Sequence, residues 1–245
     1  MFKDAMWLVK KEYQYQWRAL VASFTASLLI GLFVGIVLAG SSDRGFDDLS
    51  IDMNHFMADL IIFGMVPGFG TFFMARPYLS YRNAKENPYG RRMAVLRSLP
   101  IPVSVLSLSR MILMVTTLLI MSAAFMGMIG VALFIMTNSH FSTDEFFIFA
   151  LTWFGFALAV GGINPCIEYG MTGKMIHIIP FIYIGLLVII ELILKVYGIG
   201  IVETVFQSAN HIGWPLAFLS IVFGALCLVG WNQLLKKRLV NRDYL

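Results

Sequence analysis

The sequence predicts an all-α membrane protein, a bundle of six transmembrane helices with both termini in the cytoplasm. Three observations predict this fold class. The mean hydropathy of the 245 residues is +0.80, which is too apolar for a soluble protein of this length. The chain contains six apolar runs of about 20 residues, the length that a helix needs to cross a bilayer. Its basic residues are concentrated in the segments that would lie on one side of the membrane.

The predicted spans are continuous apolar segments. This pattern excludes a transmembrane β-barrel, whose strands alternate polar and apolar residues. We place the spans at residues 19–40, 56–75, 111–136, 146–167, 176–194 and 213–235. No polar interval is long enough for a soluble domain, so residues 1–245 are expected to form one transmembrane domain.

The distribution of lysine and arginine predicts the orientation. With cytoplasmic termini, the inner segments contain 16 of the 18 basic residues, and only Arg44 and Lys195 lie elsewhere. These inner segments are residues 1–18, 76–110, 168–175 and 236–245. The net charge of +4 is therefore expected to reflect topology and contact with anionic lipid, and no nucleic-acid partner is predicted.

The N-terminal segment, residues 1–18, is predicted to be an amphipathic helix at the cytoplasmic lipid boundary. Its apolar residues recur every three or four positions, which places them on one helix face. They are Phe2, Met6, Val9, Tyr13 and Trp17. The alternative is that this segment is an inner extension of the first span.

Small residues form a stripe along the first predicted span. Ser27, Gly31, Gly35 and Ala39 recur every four residues. Small residues allow another helix to approach closely, which favours helix association in lipid. The stripe therefore predicts helix packing, either against another helix of this chain or against a second subunit.

Residues 76–110 form the longest predicted inner connection, and they contain a candidate surface helix. Asn87 can cap a helix and Pro88 suits its first turn, while Pro100 and Pro102 would end it, so we predict a helix at about 88–98. Tyr89, Met93 and Leu96 would lie on one face of it. Such a cationic helix can rest on anionic lipid or dock on another protein.

The segment KENPYGRRMAVLRSLPIPVSVLSLSRMI resembles the connection after the second span in permeases of the type-2 ABC exporter family. The matching residues are Glu86, Gly90, Leu96, Ser98, Leu99, Pro100, Ile101 and Arg110. After the glycine this chain has Arg91 and Arg92, where the family often has a threonine and an acidic residue. The six-span layout with an N-terminal surface helix is also similar to that family.

The resemblance implies a permease subunit in a bacterial cell membrane that exports a peptide, antibiotic or amphiphile by alternating access. A separate ABC ATPase would dock on the surface helix, which is called a coupling helix in the family. ATP and magnesium would bind to that ATPase, and a second permease subunit, identical or paralogous, would complete the transporter. The implied docking residues are Glu86, Tyr89, Gly90, Arg91, Arg92, Met93, Leu96, Arg97 and Pro100. The stripe on the first span would then contribute to the subunit interface.

No enzymatic or cofactor site is predicted within this chain. Residues 170–175, GMTGKM, lack the first glycine and the hydroxyl residue of a P-loop. No cluster of cysteine and histidine has metal-binding spacing, and Cys166 and Cys227 are expected to be free thiols. A membrane-integral hydrolase and a non-transporting assembly or immunity protein are the alternatives.

Polar residues in or near the spans have a structural and a functional interpretation. Lys195 follows Glu191 by one helical turn, which predicts an ion pair, and Asp59 lies in the first turn of its span, where a helix N-terminus favours an anion. Contact with a substrate is the alternative role. Residues 195–212 are too apolar for a simple loop, so we expect a re-entrant or interfacial element, or else an aromatic belt at the lipid headgroups.

Overall fold

The computed structural model describes residues 1–42, 53–136 and 142–242, and these residues form helices and no strand. Arg44, one of the two basic residues expected on the outer side, lies outside the described residues. The helices are α1 Phe2–Tyr15, α2 Trp17–Ser42, α3 Met53–Met65, α4 Arg76–Leu79, α5 Tyr81–Lys85, α6 Pro88–Ser98, α7 Val103–Met136, α8 Thr143–Gly161, α9 Ile163–Gly170, α10 Met175–Val196, α11 Ile201–Ile212 and α12 Trp214–Asn241.

Five helical segments in the described ranges are long and apolar enough to cross a membrane. They are Trp17–Gly40, Val103–Met136, Thr143–Gly170, Met175–Val196 and Trp214–Asn241. The chain is therefore a multi-pass membrane protein with an all-helical fold. Six long spans were expected, but the apolar helical segment Phe56–Gly70 is shorter than the other five.

The segment predicted as the second span, residues 56–75, does not continue as one helix. The α-helix α3 ends at Met65, a 3-10 turn follows at Val66–Gly70, and Thr71 is extended. Pro67 within this turn has no backbone N–H, and glycines 68 and 70 are poor helix formers. The irregular backbone is enclosed by protein, because the Asn164 amide donates to the Pro67 carbonyl at 2.8 Å.

The small-residue stripe of α2 packs against α7 of the same chain. A side-chain carbon at Gly31 would lie 2.5 Å from the Phe125 carbonyl oxygen, and one at Gly35 would lie 2.6 Å from the Ala132 side chain. The Ser27 hydroxyl contacts the sulfur of Met121 at 3.6 Å. Helix α7 thus provides the intrachain partner that the stripe was predicted to pack against, and a contribution of the stripe to a subunit interface stays a prediction.

Helix α12 packs along α8 and the adjoining α9. The Trp231 indole N–H donates to the Ala159 carbonyl at 2.7 Å, and the Ser220 hydroxyl donates to the Thr152 carbonyl at 2.7 Å. The buried Cys166 thiol contacts the Trp231 carbonyl at 3.8 Å. Both cysteines are free thiols.

Several connections and both terminal helices meet at one end of the bundle, which we call the basic end. It contains α1, residues 71–102, residues 171–174 and the last turns of α12. Arg97 of α6 donates to the Arg242 carbonyl at 2.9 Å, and Arg242 donates to the Tyr169 carbonyl at 3.0 Å. The inner segments predicted from their charge are thus brought together.

Helix α1 buries a different face from the apolar one that was predicted. Its buried residues are Ala5, Val9 and Glu12. Phe2, Met6 and Trp17 are exposed, so the predicted apolar face points away from the protein core except at Val9 and the half-buried Tyr13. An exposed apolar face is the surface that an interfacial helix needs against lipid.

Candidate functional site

A group of buried polar side chains lies at the basic end around Glu12, which is only 1% exposed. Its carboxylate accepts a hydrogen bond from Arg110 at 2.5 Å and another from Arg92, forming two ion pairs. Gln16 donates a further hydrogen bond at 2.5 Å. Burial of a carboxylate is costly unless it is paired and hydrogen-bonded, and both conditions are met here.

Arg110 of α7 connects Glu12 to α9. Its guanidinium donates to the Tyr169 hydroxyl at 3.1 Å and lies over the ring of the same residue, 4.5 Å from the ring centre. Its Nε is buried without a hydrogen-bond partner in the described part of the chain. Arg110 also lines a cavity of about 10 Å³, which is the size of one water molecule.

A second carboxyl group, Glu168 of α9, is held by a cluster of tyrosines. The Tyr78 hydroxyl donates to Glu168 at 2.5 Å. The Tyr89 ring lies 6.3 Å from Tyr78 and 5.5 Å from Tyr169, measured between ring centres. Burial, together with the nearby negative charge of Glu168, raises the pKa of Tyr78 and of Tyr89 well above the usual tyrosine value. Both hydroxyls therefore remain protonated at physiological pH.

These side chains join five helices, and we call them the Glu12 network. Its members are Glu12, Tyr78, Tyr89, Arg92, Arg110, Glu168 and Tyr169. They belong to α1, α4, α6, α7 and α9. The carboxylate of Glu12 pairs with both guanidinium groups, whereas the carboxyl group of Glu168 accepts a hydrogen bond from Tyr78. Such a hydrogen-bonded arrangement holds these helices in a fixed relation.

Helix α6 begins and ends where the sequence predicted. The side chain of Asn87 accepts from the Gly90 backbone N–H at 3.3 Å, and Pro88 occupies the first turn. Leu99, in extended conformation, follows the last residue, Ser98. Arg91, Arg92 and Arg97 therefore lie on one continuous helix.

The predicted docking residues of α6 divide into two faces. Tyr89, Gly90 and Met93 are buried within the chain, while Arg92 and Leu96 are half-buried. The exposed residues form a surface that we call the α6 outer face. It consists of Glu86, Arg91, Val95, Arg97, Leu99 and Pro100. Among the predicted docking residues, the outer face is the part that is most accessible to another protein.

Helix α6 is anchored to the rest of the chain through its inner face. Met93 is fully buried, and Arg92 reaches the carboxylate of Glu12 while its guanidinium lies 4.5 Å from the ring centre of Tyr15. Glu12, Tyr78, Glu168 and Tyr169 were not predicted as site residues. The sequence signal for Glu12 was an acidic residue directly after Lys10 and Lys11, in a segment whose other acidic residue is Asp4.

At the opposite end of the bundle, Asp59 binds the N-terminus of α11. Its carboxylate accepts from the backbone N–H groups of Ile201 at 3.0 Å and Val202 at 2.8 Å. The sequence predicted that Asp59 is favoured by the N-terminus of its own helix. The N-terminus that it binds is instead that of α11. The carboxyl group of Glu191 interacts with that of Asp59, and both residues are buried.

The predicted ion pair between Glu191 and Lys195 is not formed. Within the described ranges, one ion pair joins the Met1 amino group to Asp4, and two others join Glu12 to Arg92 and to Arg110. The ammonium group of Lys195 lies instead over the ring of Phe56, 5.0 Å from its centre. In the described part of the chain, no group of three His, Cys, Asp or Glu side chains could hold a metal ion.

In comparisons with known proteins, no family model, no curated protein and no solved structure matches the chain. The resemblance to exporter permeases therefore remains an expectation that rests on the amino-acid sequence. The function of the chain has to be inferred from the geometry of α6 and the Glu12 network.

Proposed function

We propose that this chain is the membrane-spanning permease subunit of an ATP-driven exporter. A separate ABC ATPase subunit docks on the α6 outer face at the cytoplasmic side and supplies ATP hydrolysis with its magnesium. The observation that carries the proposal is that α6 presents an exposed cationic and apolar face while its opposite face is joined by Arg92 to Glu12.

The composition of the α6 outer face suits a protein partner. Arg91 and Arg97 supply positive charge, and the exposed Val95 and Leu99 supply apolar area beside them. Arginine and exposed aliphatic side chains together are suited to an apolar groove with an acidic rim. The face would thus pair with an ATPase surface of that chemistry.

A helix that receives force needs a connection to the spans. Arg92 connects α6 to Glu12, and Arg110 connects Glu12 to α7, which is 34 residues long. An α-helix of this length extends about 50 Å, enough to reach from one side of a bilayer to the other. A displacement of α6 by the ATPase would accordingly move α7, and α2 with it through their close packing.

Movement of the spans would open the transport path alternately to the two sides of the membrane. A second permease subunit, identical or paralogous, completes the transporter. The cargo class of peptide, antibiotic or amphiphile follows from the local family resemblance alone. The same resemblance places the transporter in a bacterial cell membrane.

The proposal is tested by co-purification of the chain with candidate ABC ATPase subunits. Arg91→Glu combined with Val95→Glu reverses charge and adds polarity on the outer face without touching Glu12. We expect at least about a tenfold loss of bound ATPase, which corresponds to about 1.4 kcal/mol. Lys236→Glu, an exposed basic position on α12 at the same end, is the matched control and should retain the ATPase.

Thermal unfolding of each variant separates loss of docking from loss of folding. Because Arg91 and Val95 are exposed, the melting temperature of the double variant should equal that of the unmodified chain. Retention of the ATPase by the double variant, at the level of the Lys236→Glu control, would contradict docking on α6.

A further inference from the structure

A cavity of about 710 Å³ lies between helices α7 and α8, which both belong to membrane-spanning segments. We call it the α7–α8 cavity. Its volume lies in the range of sites that bind small molecules, about 300–1,000 Å³. The residues of α7 that line it extend from Leu119 to Ile135, a rise of about 24 Å along a helix axis. The wall on α7 is therefore long enough for an extended molecule.

The two helices are in contact at one level and separate at the next. A side-chain carbon at Gly130 would lie 2.9 Å from the Phe146 ring, so α7 and α8 are close there. About one turn away on α7, a side-chain carbon at Gly127 would meet nothing within 4 Å among the described residues. Both glycines line the cavity. The space beside Gly127 is thus room that the described part of the chain does not fill.

The walls of the cavity favour an uncharged, apolar ligand. The described residues that line it are apolar or carry a hydroxyl group, and none of them is charged. Several lining side chains are exposed, among them Leu119, Phe134 and Phe147. Because these residues belong to membrane-spanning segments, a molecule dissolved in the lipid can reach the cavity. An ion would lose its hydration there without gaining a partner, which is costly.

One polar group in the lining has no partner of its own. Ser122 lines the cavity and is only 5% exposed, and its hydroxyl makes no hydrogen bond within the described part of the chain. The hydroxyls of Thr116 and Thr152, by contrast, donate to backbone carbonyls of their own helices. A buried polar group without a hydrogen bond is costly and rare. An acceptor atom on a ligand in the cavity would supply the missing bond.

We propose that the α7–α8 cavity binds an elongated, uncharged and largely apolar molecule, which enters from the bilayer and accepts a hydrogen bond from Ser122. The apolar body of the ligand packs against the aromatic side chains of the lining, which include Phe134 and Phe146. The single hydrogen bond fixes its orientation, as polar groups do in apolar binding sites. The site contains no residue of the Glu12 network or the α6 outer face, so this inference does not rest on the docking of an ATPase.

The experiment uses the full chain in lipid nanodiscs and a photoactivatable probe, hexadecanol with a diazirine in its hydrocarbon chain. After irradiation, mass spectrometry measures the probe attached to residues 119–135 and 142–154, and to the exposed face of α12 as background. Two competitors are added, dioctyl ketone and heptadecane, and their doses are expressed per mole of lipid. They have hydrocarbon chains of equal length and differ in one carbonyl oxygen.

Three variants separate the cavity from the fold. Gly127→Leu places a side chain in the cavity. Gly185→Leu, on α10, is the matched control, since Gly185 is exposed and a side-chain carbon there would also meet nothing within 4 Å among the described residues. Neither variant should lower the melting temperature, because leucine favours a helix more than glycine does. Ser122→Ala removes the hydroxyl and leaves the cavity open.

In the unmodified chain, dioctyl ketone should displace the probe from α7 and α8 at roughly a threefold to tenfold lower dose than heptadecane, the factor that one hydrogen bond contributes. Ser122→Ala should make the two competitors equal. Gly127→Leu should reduce the displaceable labelling by about tenfold, because overpacking of a filled site is unfavourable by about that factor. Gly185→Leu should leave it unchanged, and labelling of α12 should respond to neither competitor.

Two results would overturn the proposal. One is equal displacement by the ketone and the alkane in the unmodified chain, which would mean that an ordinary lipid hydrocarbon chain fills the cavity. The other is the same displaceable labelling in Gly127→Leu and Gly185→Leu. The exchange of Arg91 and Val95 that tests ATPase docking lies outside the cavity and should not alter the labelling, so the two proposals fail separately.

Discussion

Glu12 and Arg110, which lie 98 positions apart in the sequence, form an ion pair of 2.5 Å in which both side chains are buried. The pair joins the N-terminal surface helix to the longest helix of the described residues. Because Arg92 of α6 binds the same carboxylate, Glu12 is the point through which α6 is tied to the spans.

Removal of the Glu12 carboxylate should destabilise the protein strongly. Glu12→Ala leaves the buried guanidinium of Arg110 without its partner, and loss of one member of a buried ion pair costs about 3–5 kcal/mol. We expect a clearly lower melting temperature of the purified chain. Asp4→Ala, on the same helix but exposed, is the control and should leave it unchanged. Equal melting temperatures for both variants would show that the pair does not stabilise the fold.

Replacing both members of the pair should cost less than the two single changes together. Glu12→Leu leaves the buried Arg110 without a carboxylate, and Arg110→Met leaves the buried Glu12 with Arg92 as its remaining ion-pair partner. The double variant leaves only Arg92, which is 30% exposed and can reach water. We expect a coupling free energy of about 1–3 kcal/mol in a double-mutant cycle measured by unfolding. Additive effects would mean that the two charges do not interact.

The packing of α2 on α7 predicts a difference between two glycines of one helix. Gly31→Ala places a methyl group against the Phe125 backbone, whereas at Gly40 a side-chain carbon would meet nothing within 4 Å among the described residues. Overpacking of a close helix contact costs about 1–3 kcal/mol or more. Gly31→Ala should therefore lower the melting temperature, and Gly40→Ala should not. A reversed or equal response would contradict the close contact within the chain.

Asp59 should control the stability of α11. Asp59→Ala removes the acceptor of two backbone N–H groups, and each hydrogen bond to a charged group contributes about 1.5–3 kcal/mol. Hydrogen exchange at Ile201 and Val202 should accelerate by at least about tenfold. Glu203→Ala, on α11 itself, serves as the control and should leave both amides protected. Unchanged exchange in Asp59→Ala would show that α11 is held by other contacts.

The sequence predicted the surface helix well because its signals are local. Asn87, Pro88 and Pro100 act within one or two turns, so the bounds of α6 could be inferred without tertiary contacts. The second span was predicted too long for the opposite reason. Hydropathy stays high through residues 66–75, whereas Pro67 ends the helix by removing a backbone donor.

The Glu12 network could not be predicted because its members come from five helices that are distant in the sequence. On a helical wheel, Glu12 lies on the polar side of α1, which would be expected to face water. In the structure that side packs on α7, and Glu12 is therefore buried. The small residues of α2 predicted close packing against another helix, and α7 lies close to Gly31 and Gly35. The composition of the stripe does not say whether the partner helix belongs to the same chain.

Docking of an ATPase on the α6 outer face is tested most directly by labelling of Val95→Cys with a membrane-impermeant maleimide. The variant is made in a chain whose Cys166 and Cys227 are replaced by alanine, with Lys236→Cys as the control position. We predict that position 95 is unreactive in intact cells and reactive in inverted vesicles. Addition of the ATPase to those vesicles should block labelling at 95 and not at 236. Labelling at 95 in intact cells, or labelling in vesicles that the ATPase does not reduce, would contradict the account.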